Sequence, residues 1–275
     1  MKRFLAAALL AAVSTAPAVA AEAAKAPDAA LKAAIASSSR TPDNVKRDVY
    51  RHPYETLTFF GIRPDMTVVE LAPGGGWYTE ILAPYLRDKG KLIAAGATPE
   101  SKSPNTAKAG ERFKQRLDAN PTAYGKVQLG AFEPGAGVFN YAAPGSADMV
   151  LTFRNLHNWM EGGDEKLKAL LASVHTALKP GGVFGVVEHR LPASQKQDAT
   201  ASSGYMHEAY VIKLIEGAGF KLAEKSEINA NPKDTADHKN GVWALPPTYA
   251  NKDEDRAKYA AIGESDRMTL KFVKR

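Results

Sequence analysis

The stretch 67–86 limits the possible folds more than any other part of the chain. Thr67-Val68-Val69-Glu70-Leu71 is a short β-branched run. It passes straight into Ala72-Pro73-Gly74-Gly75-Gly76 and then into 77–86, where Trp77, Ile81 and Tyr85 recur at helical spacing. A strand, a glycine-rich turn and a helix in immediate succession make one βα unit. Glycine tolerates positive φ and lets a ligand come close to the backbone, and the helix start offers unpaired N–H groups to a carboxylate. Glu70, at the strand end, suits an ammonium group. Pro84 predicts a kink or an early end to the helix.

The same change of period recurs along the chain. Further strands are expected at 91–95, 127–131, 148–153, 183–187, 220–228 and 268–273. Helices are expected from Pro53 to a stop at Gly61, over 105–119, from an N-cap at Asp164 along a Leu167, Leu170, Leu171, Val174, Leu178 face, and over 208–216. Residues 133–146 read as loop. Strands alternating with helices imply an α/β fold, a mostly parallel seven-stranded sheet with helices on both faces. Right-handed crossovers then align the carboxyl ends of the parallel strands along one edge, where ligands bind.

Composition narrows the class further. With 275 residues, 44% hydrophobic and 24% charged, the chain has enough apolar surface for one α/β domain with extensions. It contains no cysteine, which excludes disulfides, a cysteine nucleophile and thiolate metal sites. Lys2 and Arg3, the apolar run 4–13 and Ala18-Val19-Ala20 read as an export signal over 1–20, cleaved after Ala20, and imply a periplasmic or secreted protein. The other reading is an uncleaved anchor, although ten apolar residues are short for a span. No later segment is apolar enough to cross a membrane. Residues 21–54 read as an N-terminal helical leader, its first half carrying little chemistry, and 55–275 as the main domain with a lid insertion at 229–266. Losing Lys2 and Arg3 from 36 basic residues against 30 acids leaves a charge of +4. No dense basic run is interleaved with aromatics, so no nucleic-acid partner is expected.

The glycine turn resembles the first motif of the class I S-adenosylmethionine-dependent methyltransferases, an acid followed by three alternating glycines. Here it stands as Glu70-Leu71-Ala72-Pro73-Gly74-Gly75-Gly76, with Ala72 in place of the first glycine. Ser146–Phe153 and Leu178-Lys179-Pro180-Gly181-Gly182 resemble that family's fourth strand and its entry to the fifth, in the right order. The resemblance implies a Rossmann-like methyltransferase sheet whose last strand is antiparallel. It implies S-adenosylmethionine as cofactor, held by Glu70, Ala72, Gly74, Gly75 and Gly76, and a methyl acceptor of unknown identity. More narrowly, the Gly-Gly-Gly-Trp-Tyr turn and Arg154-Asn155-Leu156-His157-Asn158-Trp159 resemble a group of predicted exported methyltransferases. Two departures stand out. The second strand ends at Gly96 without the family's ribose-binding acid, leaving Glu100 as a substitute, and Glu133 lies off register for the adenine-side acid.

The catalytic candidates are His157, Arg154 and Asn155, which follow the fourth strand at the ligand edge. His157 suits a general base, Arg154 a substrate carboxylate or phosphate, and Asn155 the orientation of donors. The alternative is that they cap a loop plugged by Trp159. Glu188 and His189 end the fifth strand as a second base candidate or as an ion pair, and Tyr205, His207 and Glu208 read as a helix start or a catalytic group. The histidines lack helical two-ligand spacing, so no metal is expected. The long excursion 229–266 originates over the pocket and reads as a lid or substrate wall, or as an ordered flap. Two other functions fit the same residues: a non-catalytic exported ligand-binding protein, and a nicotinamide-dependent oxidoreductase, whose third fingerprint glycine is missing.

Overall fold

The computed structural model describes residues 28–275, so the export signal expected at 1–20 lies outside the described residues. The strands are β1 (Thr67–Leu71), β2 (Lys91–Gly96), β3 (Gln128–Glu133), β4 (Val138–Asn140), β5 (Ala147–Phe153), β6 (Leu178–His189), β7 (Phe220–Ser226) and β8 (Arg267–Lys274). They form one sheet in the order β4-β3-β2-β1-β5-β6-β8-β7. β1, β2, β3, β5 and β6 are parallel, while β8 runs antiparallel to both β6 and β7. All seven expected strands are present. The eighth, β4, lies in the stretch read as loop. It is three residues long, too short to show a period, and turns back on β3 through Gly137 so that Phe139 meets Phe132.

Both faces of the sheet are covered, which is why its strands read as continuous apolar runs. Alternate residues point to opposite layers. Val69, Leu71, Val150 and Val186 pack against α9 (Gly163–Ala177) and α10 (Glu208–Glu216). Val68, Met149, Leu151 and Val187 pack against α4 (Pro53–Phe60) and α5 (Thr79–Leu86). Phe60 of α4 seats so closely on β6 that a Cβ at Gly185 would stand 2.9 Å from its ring. α5 starts at Thr79, leaving Trp77 and Tyr78 in the turn, and ends two residues after Pro84. Asp164 does not cap α9. Gly162 occupies that position, and Asp164 and Glu165 lie in the first turn, where the helix dipole favours acids.

The N-terminal segment is built onto the domain. In α1 (Ala29–Ile35), Asp28 accepts the Leu31 N–H at 2.9 Å and the Tyr85 hydroxyl, and Leu31 is buried against α5. The buried Arg40 binds both oxygens of Asp48 at 2.6 and 2.8 Å. Asp48 opens α3 (Asp48–Arg51), which follows α2 (Pro42–Val45). Glu80 accepts from the Thr41 amide and hydroxyl and from Arg116 of α6 (Pro104–Asp118), which is followed by α7 (Pro121–Tyr124). These ties place Arg47 and Arg51 over the sheet edge. Among the described residues no helix is long and apolar enough to cross a membrane.

Leu31→Ala empties a closed apolar contact and is expected to cost about 2–4 kcal/mol, read as a lower urea midpoint with an unchanged slope.

Candidate active site

The glycine turn is held in shape by two polar ties, one of them buried. Glu70 is buried at the end of β1, and Thr79 Oγ1 at the start of α5 donates to its Oε2 at 2.6 Å. Burial pushes the Glu70 carboxyl up to about 7, against the opposing pull of the Thr79 hydrogen bond and of Arg154. Ala72 stands at φ 48°, a left-handed conformation that glycine adopts without strain and alanine does not. Asn155 Nδ2 donates to the carbonyls of Leu71 and Ala72 at 3.3 and 3.4 Å, holding that bend. Gly74 and Gly75 are exposed, and a Cβ on either would meet nothing within 4 Å. Gly76 is buried, its Cβ position 3.5 Å from Phe113. The turn therefore presents open backbone at Gly74 and Gly75, while the Glu70 carboxyl faces inward. At the neighbouring strand ends Glu100 is exposed, and Glu133 accepts from Ser101 in the loop after β2 at 3.0 Å.

Beside the turn lies a cavity of about 250 Å³ lined by Arg47, Arg51, Arg154, His157, His189 and Trp243, among others. Arg154 follows β5 with φ 61°, its N–H bonded to the Val187 carbonyl at 2.7 Å, so β5 and β6 remain tied as the chain turns away. His157 belongs to the short helix α8 (Leu156–Met160). Its Nδ1 lies 2.9 Å from Oε1 of the fully buried Glu188, which also accepts the amides of His157 and His189 at 3.3 and 2.8 Å. With Nδ1 committed, Nε2 is the nitrogen left to meet a ligand. His189 Nδ1 is 2.5 Å from Ser265 Oγ, and burial, reinforced by His157 and Arg154, pushes this imidazole well below its ordinary range, keeping it neutral. The stretch 241–265 supplies another wall. Trp243 lies 5.9 Å from the His157 ring, and Glu264 binds Arg47 and Arg51. Burial works against the Glu264 charge, yet Arg51, Arg267, Arg47 and Arg154 together hold its carboxyl down at about 2.

Of the three catalytic candidates, the fold brings Arg154 and His157 to the cavity and turns Asn155 into the glycine turn. Glu188 and His189 join the same centre. His207 and Glu208 do not, and Tyr205 meets it only through its ring, 6.0 Å from that of His189. The Tyr205 hydroxyl donates to Asp234, His207 meets the Gln195 carbonyl, and Glu208 pairs with Lys225. His238 is likewise bound to Asp234, which also accepts the Asp266 amide and so pins the excursion to the start of β8. His157, Glu188 and His189 bring metal-ligand atom types within 4.8 Å of one another, a cluster assembled from two elements that local spacing cannot show. Glu188 Oε1 already accepts from two donors, and arginines crowd the surroundings, so the set fits hydrogen bonding better than a cation. The reading from sequence missed Arg47, Arg51, Glu264 and Arg267. The one available signal was the four-residue spacing of Arg47 and Arg51, which sets two guanidiniums on one helical side.

Glu70 carries a testable pH signature. Its folded pKa, about 7, lies above the ordinary 4.5, so the folded chain holds the proton between these values and the unfolded chain does not. Stability should decline by on the order of 3 kcal/mol as pH rises through that window. In Glu70→Gln this part of the slope should vanish from chemical denaturation series.

No protein-family model matches the sequence, and no curated protein matches it. Solved structures do match in fold. A SAM-dependent methyltransferase from Aquifex aeolicus superposes with a TM-score of 0.54 at 15% identity, covering 84% of this chain and 93% of that one. A protein from Galdieria sulphuraria, proposed to be a sarcosine dimethylglycine methyltransferase, gives 0.52 at 12% identity over 84% of each chain. The [4+2]-cyclase SpnF gives 0.53 at 14% identity over 89% of this chain and 91% of that one. With the mostly parallel sheet and the antiparallel β8 between β6 and β7, these likenesses show that the chain has the fold of the class I S-adenosylmethionine-dependent methyltransferases.

Proposed function

We propose that the protein is an exported class I methyltransferase that transfers a methyl group from S-adenosylmethionine to a small acceptor. The observation that carries this reading is the coupling of two halves of a site. An open glycine backbone at the end of β1 is tied by Asn155 to the loop that delivers Arg154 and His157 to a polar cavity. The basic tip, apolar run and small residues within 1–20 support export.

When bound, S-adenosylmethionine supplies an electrophilic methyl group. Gly74 and Gly75 would hold its amino-acid tail through backbone contacts, since both are exposed with open space at their Cβ positions and the inward Glu70 shapes the turn. His157 is placed to take the acceptor's proton on Nε2, and Glu188 fixes the ring and stabilises the imidazolium that results. The apolar surface of Val242, Leu245, Pro246 and Pro247 lowers the polarity on one side of the cavity, which strengthens the polar contacts there.

A non-catalytic binding protein on the same scaffold is favoured by one observation, the absence of a carboxylate at the Gly96 end of β2. The [4+2]-cyclase likeness is a reminder that a fold does not set a reaction. The nicotinamide reading gains no support, because β8 runs antiparallel between β6 and β7 where the doubly wound dinucleotide order has no such strand.

Calorimetric titration with S-adenosylmethionine and S-adenosylhomocysteine tests the proposal. Gly75 has no positive φ and open space at its Cβ position, so Gly75→Leu should leave the melting temperature unchanged. It should weaken both ligands by about tenfold or more, because the side chain fills the cradle. Heat signals absent for both ligands at about 1 mM would end the methyltransferase reading.

A further inference from the structure

We infer that the cavity beside the glycine turn takes a small organic anion, a carboxylate or phosphate on an apolar body, and that this anion is the methyl acceptor. The inference rests on the methyltransferase reading for the second half of that statement only.

The argument begins with charge. Four guanidiniums, from Arg47, Arg51, Arg154 and Arg267, converge on a single carboxylate, Glu264. That carboxylate is already committed. It accepts from Arg47 Nε at 2.6 Å, Arg51 Nε at 3.0 Å and Arg267 Nη1 at 3.1 Å. Arg267 places its other nitrogens on the carbonyls of Ser265 and Tyr50. Glu188, the next acid, is occupied by His157 and the His189 amide. Arg51 is only 3% exposed; its guanidinium lies 4.7 Å from the Trp77 ring, and its Nη1 has no hydrogen-bond partner. Arg154 Nη1 is buried and also has none. A buried, unpaired guanidinium N–H is costly, and two in the same charged neighbourhood more so. Burial and mutual repulsion hold the Arg51 guanidinium well below its ordinary range.

Arg51 and Arg154 both line the cavity. A guanidinium fork matches a carboxylate or phosphate through parallel charge-assisted hydrogen bonds, and no other ligand class answers this arrangement as well. A metal ion would meet net positive charge. Val242, Leu245, Pro246 and Pro247 contribute apolar surface to the same cavity, with Trp243 beside them. At about 250 Å³ the space lies at the small end of ligand pockets, fitting a compact molecule and not a folded macromolecule. His157 shares the cavity, so an anion anchored on Arg51 and Arg154 brings its remaining functional group near Nε2. Arg47 and Arg51 come from the N-terminal segment, which makes that segment part of the site.

Four proteins test this: the wild type, Arg154→Gln, Arg51→Gln and, as control, Arg63→Gln, at an exposed residue paired to Asp65. Melting curves and calorimetry compare sodium benzoate with benzamide, and sodium phosphate with sodium chloride at equal ionic strength. Benzoate and phosphate should raise the melting temperature of the wild type and the control, while benzamide and chloride should not. Binding should weaken by about tenfold or more in Arg154→Gln and Arg51→Gln. Ligand-free Arg154→Gln should melt no lower than wild type because a buried guanidinium without an ion pair is gone, whereas ligand-free Arg51→Gln also loses its bond to Glu264 and should melt lower. Wild type without an anion-specific shift, or variants retaining it, would overturn the pocket. S-adenosylhomocysteine titrated in parallel separates the two readings. If it binds and the anions do not, only the anion pocket fails. If the anions bind and it does not, the methyltransferase reading fails. If Arg154→Gln weakens it as much as benzoate, the arginines hold the cofactor's own carboxylate and the acceptor assignment is wrong.

Discussion

The Glu264 carboxylate is the interaction on which the site depends. It joins three parts of the chain that have little else in common: Arg47 and Arg51 from the N-terminal segment, Arg267 from β8, and the end of the excursion that forms a cavity wall. Replacing it with a neutral residue would leave several guanidiniums facing one another in a poorly solvated space, a loss of the kind that reaches about 3–5 kcal/mol for a broken buried ion pair. One acid among four bases holds the assembly together without neutralising it. The positive excess that remains is a property of the cavity, and it argues for negative charge in whatever binds there.

In the glycine turn, polar side chains bond within the protein and shape the backbone. The Glu70 side chain is buried and bonded to Thr79, where it joins the end of β1 to the start of α5. Asn155 donates to the Leu71 and Ala72 carbonyls and holds Ala72 in a conformation that glycine would take freely. Both residues shape the backbone that a ligand would touch. The open face belongs to Gly74 and Gly75, whose contribution is the lack of a side chain.

His157 and Glu188 form a buried hydrogen-bonded pair whose arrangement follows from sheet topology. β5 and β6 are adjacent and parallel, so the residue that ends β6 stands beside the helix that follows β5. Glu188 is buried because β8 pairs along β6 as far as His189, and the His157 ring is its nearest titratable partner. A buried carboxylate that fixes one nitrogen of a histidine leaves the other in a defined direction, which suits proton transfer.

Local pattern alone determined the seven core strands, their alternation with helices, the glycine turn and the placement of Arg154 and His157 at the ligand edge. These follow from periodicity, from glycine and proline punctuation and from the handedness of crossovers, all of which act over short distances in the chain. Tertiary structure decided the rest. Strand β4 is too short to carry a period. Arg47 and Arg51 lie more than a hundred residues before Arg154, and nothing near them in sequence says that a polar helical leader folds back over the sheet. Which acid binds which base depended on Glu264, held at the far end of a long excursion anchored by Asp234. Electrostatic partners are chosen by distance in space and by burial, and neither is written in neighbouring residues.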